Sequence, residues 1–252
     1  MSFKINFSGK VVLITGATRG IGAAIARDFH AAGANLILTG TDSKQINELN
    51  QNNADAGVTN IRHIQADFAD AASLQCFLDE IAHCKRIDVC VNNAGTNRIG
   101  FIDSTKVEDY DLLSQVNLRA PFLISRQVSR LMKKANYGRI VNIASIWSVI
   151  TKPKRSIYST TKFGLVGMTK AVAADLGAYN VLVNAVSPGF TMTELTQSTL
   201  SDREIQELSD QIPVKRFAMP EEISKVVLFL SSDLNTYITG QNIVVDGGFV
   251  SV

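Results

Sequence analysis

The chain has 252 residues, of which 46% are hydrophobic and 19% charged, the composition of an ordinary globular protein with enough length for one large core. Its 25 basic and 23 acidic residues leave a net charge of +2, which argues against nucleic acid or an anionic membrane as a general partner. No apolar run approaches the ~18 residues of a spanning helix, and the first seven residues lack the apolar stretch of a secretory leader, so a cytoplasmic location is expected. Cys76, Cys84 and Cys90 have no CxxC spacing and fit reduced thiols. His30, His63 and His83 stand singly, without the spacing of metal ligands, so no metal site is expected.

Short apolar runs alternate with longer amphipathic ones. In chain order the pattern predicts a strand over 10–15, a helix over 21–32, a strand over 34–39 and a helix over 44–54. A strand over 61–66, a helix over 71–84, a strand over 87–92 and a long helix over 108–135 follow. The remainder reads as strand 139–144, helix 158–177, strand 181–187, helix 221–231 and strand 242–245. Continuously apolar strands such as Val11-Val12-Leu13-Ile14 suit a parallel sheet covered on both faces. The repeated strand-helix order implies a single-domain α/β fold, a Rossmann-type doubly wound parallel sheet flanked by helices over 1–252. Residues 190–216 break the rhythm as a long polar insertion at a strand's carboxyl end, the placement of a substrate lid.

Gly16, Gly20 and Gly22, with Thr18, Arg19 and Ile21 between them, follow the first strand directly and open the first helix. Glycines there allow a tight turn and close approach of backbone to a pyrophosphate, which the helix amino terminus attracts. The spacing is TGxxxGxG, and here the chain resembles the short-chain dehydrogenase/reductase family. Asp42 lies near the distance at which an acid would hold a ribose 2′-hydroxyl. With Gln45 three residues on, it fits a helix cap better. In the family the end of the second strand decides between cofactors. Here Gly40 and Thr41 do not repel a 2′-phosphate and Arg19 offers it a cation, so the resemblance favours NADP(H) over NAD(H).

Tyr158 and Lys162 stand one helical turn apart, so phenol and ammonium project from one face. A tyrosine of ordinary pKa, about 10, is a sluggish base, and a nearby cation favours its phenolate. YxxxK alone is common. Ser145, however, ends an apolar strand 13 residues earlier, where an open α/β sheet collects its ligands. The spacing is that of the short-chain family, as are Asn92-Asn93-Ala94-Gly95, Asn117 within Val116-Asn117-Leu118, Ser187-Pro188-Gly189, and the terminal Thr239-Gly240-Gln241 to Asp246-Gly247-Gly248.

The resemblance, which covers essentially the whole chain, implies a catalytic set of Asn117, Ser145, Tyr158 and Lys162 and a carbonyl–alcohol oxidoreductase. It implies that Lys162 binds the nicotinamide ribose and lowers the pKa of Tyr158. Ser145 would hydrogen-bond the substrate oxygen, Tyr158 would protonate it, and Asn117 would hold a water linking Lys162 to solvent. Asp67 would contact adenine, and Asn92 and Ala94 would lie along the cofactor. The segment after Pro188 and Gly189, with Thr191 and Thr193, would close over the nicotinamide. A homotetramer built through the two long helices and the last strand is a further implication; Gly164 and Gly167 permit close helix packing there or, equally well, within the chain.

Within the family the chain is most similar to 3-oxoacyl-acyl-carrier-protein reductases. Lys133 and Lys134 could meet an acidic carrier, although Asn136 and Tyr179 replace arginines that these reductases often carry. Arg98, Lys152, Lys154 and Arg155 fall in loops expected at the mouth of the site, beside Ile146, Trp147, Val149 and Ile150. They suit an anionic substrate: an acyl thioester with a phosphopantetheine arm, a sugar acid or a phosphorylated sugar. The alternatives are a sugar, polyol or keto-acid dehydrogenase of the same family, an epimerase or dehydratase of the wider one, and a non-catalytic nucleotide-binding regulator.

Overall fold

A computed structural model describes residues 5–252; the first four residues, part of the stretch expected to lack a leader, lie outside it. In chain order the elements are β1 (Val11–Ile14), α1 (Gly20–Ala31), β2 (Asn35–Gly40), α2 (Ser43–Asp55), β3 (Ile61–Gln65), α3 (Ala71–Ala82) and β4 (Val89–Asn92). Next come α4 (Val107–Ser114), α5 (Ala120–Ala135), β5 (Gly138–Ile143), α6 (Ser156–Leu176) and β6 (Val181–Pro188). The chain then forms α7 (Glu194–Thr199), α8 (Asp202–Ser209), α9 (Pro220–Ser231) and β7 (Asn242–Val245).

All seven strands are parallel, in the order β3-β2-β1-β4-β5-β6-β7. The chain therefore winds outward from β1 in one direction and from β4 in the other, a doubly wound sheet with its switch point between them. Successive side chains of a strand face opposite sides, and both sides are covered. Leu13, Cys90, Ile140 and Val183 pack on Phe77 and Ile81 of α3 and on Ile124, Val128 and Met132 of α5. Val12, Ile14, Val91, Val141 and Val186 pack on Ile25 and Phe29 of α1 and on Ile223, Val227 and Leu230 of α9. This two-sided burial is why the strands read as continuous apolar runs.

One expectation needs correction. The helix expected over 108–135 is interrupted by a π-helical segment, Gln115–Arg119, between α4 and α5. Pro121 in the first turn of α5 has no N–H to offer the carbonyl of Asn117 four residues back, so the regular ladder cannot continue through it. The polar insertion over 190–216 contains two short helices, α7 and α8. Thr193 caps α7 through its side chain, and Ser201 with Glu204 forms a capping box on α8, local signals strong enough to start short helices. The ends of the insertion meet: Met192 N donates to Ala218 O at 2.8 Å, Ala218 N donates to Phe190 O at 2.9 Å, and Phe190 stacks on Phe217 at 5.2 Å.

Candidate active site

The carboxyl ends of β1, β4, β5 and β6 lie side by side at one edge of the sheet, beside the switch point. At β1 the chain turns through Gly16 (φ +63°) and Gly20 (φ +54°), both left-handed, a backbone that side chains other than glycine rarely adopt. A Cβ on Gly16 would stand 2.9 Å from Ala94 Cα, and one on Gly22 would stand 2.2 Å from Gly16 O. The turn is thus packed as closely as two backbones allow. Thr15 Oγ1, buried, accepts from the backbone N–H of Asn93 and of Ala94, both at 3.0 Å. In return Asn93 Nδ2 donates to Thr15 O at 3.0 Å and Gly16 O at 2.8 Å. The turn on β1 is clasped to the end of β4. Helix α1 then begins with no side-chain cap and no acidic residue in its first turn, so its free N–H groups and positive end face the space above Gly16–Gly22. That cradle, with no room for a Cβ and uncapped donors, fits a pyrophosphate.

The other expected cofactor positions sort as follows. Thr18 and Ile21 sit within the turn, and Arg19 is exposed at its tip. A Cβ on Gly40 would meet Thr18 Cγ2 at 2.5 Å, so β2 ends bare of side chain, with Thr41 exposed beside it. Asp42 caps α2, accepting from Lys44 N at 2.9 Å and Gln45 N at 3.1 Å, as the cap reading expects. Asp67 follows β3, its carboxylate accepting from Ala69 N at 2.9 Å. The Asn92 side chain turns into the core, donating to Asn142 Oδ1 at 2.8 Å and Ser125 Oγ at 3.1 Å. Only its backbone is left for the cleft, and Asn93, which the sequence reading did not single out, supplies the side chain at the cradle. Gly189, after Pro188, packs against Asp246, whose Cβ would lie 2.7 Å from an added Cβ. Thr191 donates to Gly189 O at 3.2 Å. Thr193 stands against Gly20, its Cγ2 3.4 Å from where a Cβ would be, bringing the 190–216 segment to the glycine turn.

The end of β5 and the start of α6 carry the groups expected to handle the proton. Ser145, two residues past β5, is buried; its Oγ accepts from Trp147 N at 3.2 Å, and its side chain favours the Tyr158 phenolate. One turn along α6, Lys162 is 4% exposed and donates from Nζ to Ile143 O at 2.8 Å, with Nζ 5.6 Å from the centre of the Tyr158 ring. None of the ion pairs among the described residues involves Lys162. Burial alone pulls its pKa down to about 8. Burial pushes the Tyr158 phenol up, opposed by the Ser145 side chain and by the charge of Arg155. Asn117 lies in the π segment, buried, accepting from Thr96 N at 2.9 Å and donating to Thr96 O at 2.9 Å and Thr161 Oγ1 at 3.2 Å. A Cβ on Gly95 would be 3.4 Å from Asn117 Oδ1 and 3.7 Å from Lys162 Nζ; the missing side chain keeps that space open between them.

Behind Ser145 lies a hydroxyl relay that the sequence reading missed. Ser148 Oγ donates to Ser145 O at 2.7 Å and pairs with Ser187 Oγ at 2.9 Å. Ser187 Oγ in turn donates to Asn242 Oδ1 at 2.7 Å. These contacts tie the ends of β5, β6 and β7 together and fix the backbone that presents Ser145.

A Rossmann-type sheet with a pyrophosphate cradle at its switch point and a Ser-Tyr-Lys constellation beside it defines a nicotinamide-dependent oxidoreductase. The chain belongs to the short-chain dehydrogenase/reductase family. The sequence profile described as enoyl-(acyl carrier protein) reductase matches residues 16–250. The chain is 40% identical over 246 residues to the 3-oxoacyl-[acyl-carrier-protein] reductase of Aquifex aeolicus, covering 97% of this chain and 99% of that one. The Escherichia coli K12 protein of the same description is 35% identical over 249 residues, covering 98% and 100%. Among solved structures, a gluconate 5-dehydrogenase from Burkholderia cenocepacia in complex with NADP and tartrate superposes with a TM-score of 0.89 at 31% identity, covering 98% of this chain and 97% of that one.

Proposed function

We propose that Tyr158 is the general acid and base of a reversible carbonyl reduction, held in place by Ser145 and tuned by Lys162. The observation that carries this reading is the buried Lys162 ammonium, held on the last carbonyl of β5 with its Nζ 5.6 Å from the Tyr158 ring, with Ser145 at the same strand end favouring the phenolate. Ser145 orients the substrate oxygen and Tyr158 gives it a proton. Lys162 holds the nicotinamide ribose hydroxyls, and Asn117 sets a water between Lys162 and solvent. When bound, the nicotinamide ring supplies or accepts the hydride. The Gly16–Gly22 cradle and the α1 amino terminus hold the pyrophosphate, Asp67 the adenine, and the backbone of Asn92 and Ala94 the length between. Residues 190–216 close the site, a reading supported by the pairing of the segment's ends and the contact of Thr193 with Gly20.

We infer a preference for NADP(H). No side chain fills the end of β2, the Asp42 carboxylate is occupied by the α2 cap, and Arg19, next in sequence to the Thr18 that packs on Gly40, is exposed, so a 2′-phosphate would meet a cation and no fixed acid. The substrate we favour is a 3-oxoacyl thioester, as the relatives' descriptions suggest. On the surface where Asn136 and Tyr179 replace arginines, Lys133 Nζ lies 4.2 Å over the Tyr179 ring, returning a cation for an acidic carrier. The second reading, a sugar-acid or keto-acid dehydrogenase, is favoured by the relative solved with NADP and tartrate. The reduced thiols of Cys76, Cys84 and Cys90 support a cytoplasmic location; no helix of the described residues is long and apolar enough to cross a membrane. An open groove lined by Leu112, Leu118, Phe122, Met168 and Val172 between α4, α5 and α6 supports assembly of copies through these helices.

An NADPH-oxidation screen of 3-oxoacyl thioesters, keto-sugars and keto-acids should show highest kcat/KM for the thioesters. Tyr158→Phe should lower kcat by roughly 10²–10⁴ with the substrate found; full turnover in that variant would sink the mechanism. Arg19→Ala should raise KM for NADPH by about tenfold or more, the worth of one charge-assisted contact, while moving KM for NADH far less. An equal effect on both cofactors would count against a 2′-phosphate site. The native mass from light scattering should be that of a tetramer and fall in Phe122→Glu. A wild-type monomer would contradict the assembly.

A further inference from the structure

Four cations were expected at the mouth of the site, and the structure separates them. Arg98 Nε lies 3.3 Å from Asp109 Oδ1, and Arg98 also donates to Asn97 O at 3.1 Å. Lys154, in a left-handed turn with φ +69°, lies over the Phe101 ring at 4.8 Å. Lys152 and Arg155 differ. Both are set against Trp147, with Lys152 Nζ 5.3 Å and the Arg155 guanidinium 5.7 Å from its ring. Neither takes part in an ion pair among the described residues.

Arg155 Nε is buried with no hydrogen-bond partner, and so is the hydroxyl of the next residue, Ser156. Buried polar atoms are nearly always paired, so Arg155 Nε marks a place where a partner is due, whereas Ser156 lines a separate small pocket with Arg98 and Lys154. The positions are also built. Trp147 N donates to Ser145 Oγ, Thr151 Oγ1 pairs with Ser159 Oγ at 2.9 Å, and Ser159 N donates to Arg155 O at 2.8 Å in the first turn of α6. The segment from Ser145 to Tyr158 is thereby fastened at both ends. Lys152 and Arg155 repel each other, which adds to burial in lowering the pKa of Lys152. The charge of Arg155 reaches the Tyr158 phenol.

We propose that Lys152 and Arg155, set against Trp147 beside Tyr158, bind an anionic group of the substrate. This rests on the reading of Tyr158 and Ser145 as the reacting centre. The group is a carboxylate or a phosphate, since either accepts paired hydrogen bonds from a guanidinium while neutralising an ammonium. It comes from the carboxylate of a keto-acid or from a phosphate of the arm of an acyl thioester. A neutral ketone would leave two adjacent cations unanswered at the point where the carbonyl is turned over.

Trp147 is the only tryptophan of the chain, so its fluorescence reports on this spot in the full-length protein. Titration with tartrate, in the presence of NADP⁺, should give a saturable change, and its dimethyl ester, which lacks the charge, should give none. In Lys152→Gln/Arg155→Gln the Kd for tartrate should rise by about tenfold or more, the loss expected of paired charge-assisted contacts. Lys152→Gln alone, at an exposed position, should show a smaller rise and guards against a double variant that does not fold. Unchanged affinity in a folded charge variant, or an equal response to the ester, would overturn the proposal. In turnover, the ratio of kcat/KM for acetoacetate over methyl acetoacetate should fall in the charge variants if the group is a carboxylate. The ratio for acetoacetyl-coenzyme A over its N-acetylcysteamine thioester should fall if it is a phosphate, and no fall in either overturns the proposal. Tyr158→Phe separates the two readings: turnover surviving there removes the reacting centre, whereas the tartrate titration judges the cation pair by itself.

Discussion

Lys162 carries an ammonium group into the interior with a backbone carbonyl, that of Ile143, as its hydrogen-bond acceptor. Taking such a charge out of water is costly unless it is paired, and burial pulls its pKa down to about 8. The rest of the site is arranged around keeping that group where it is. The last residue of β5 supplies the carbonyl, and two residues later the same strand end supplies Ser145. Helix α6 supplies Lys162 and, one turn before it, Tyr158. Acceptor, hydroxyl, phenol and ammonium are therefore referenced to one strand end and one helix, rigid elements that fix catalytic distances better than loops do. The relay through Ser148, Ser187 and Asn242 extends the same frame across β6 and β7.

The second half of the cleft is governed by sterics. The glycine turn lies against Ala94, where a Cβ on Gly16 would be 2.9 Å from its Cα, and Asn93 and Ala94 donate four hydrogen bonds to Thr15 and Gly16 across the switch point. The glycine turn and the β4 end are consequently one unit. Gly95, two residues after Asn93, leaves open the space between Asn117 and Lys162. A short stretch of chain thus connects the cradle to the proton-handling side, which gives a physical reason for both to sit on the same few strands.

Strong, repeated signals were readable in the sequence. Residues with one job and one environment, such as Val11–Ile14, the glycines of the turn and Tyr158 with Lys162, carry their pattern locally, and the structure shows each of them there. Asp42 read as a cap and is one. Features that depend on tertiary context were not readable. Asn92 and Asn93 are indistinguishable as residue types, and only the direction of each side chain sends one into the core and the other to the cradle. The π segment was signalled by Pro121 inside a helical pattern, but its outcome depends on the packing of Asn117 against Thr96 and Thr161. The helices of the 190–216 insertion had a capping box at Ser201 and Glu204 that the polar composition masked. Gly164 meets Leu118 within the chain, 3.1 Å from an added Cβ, whereas Gly167 faces open space, a difference that spacing does not contain.

The most direct test of the account is the ionisation of Tyr158 itself, followed by ultraviolet difference spectroscopy between the wild type and Tyr158→Phe. Without cofactor, burial should hold the phenol above its ordinary value of 10, so phenolate appears only at strongly alkaline pH. With NADP⁺ bound, the positive ring and a charged Lys162 should both favour the phenolate, and the transition should move down by about one unit or more. The same titration in both states would contradict the claim that Tyr158 is poised by the buried lysine and the cofactor to move the proton.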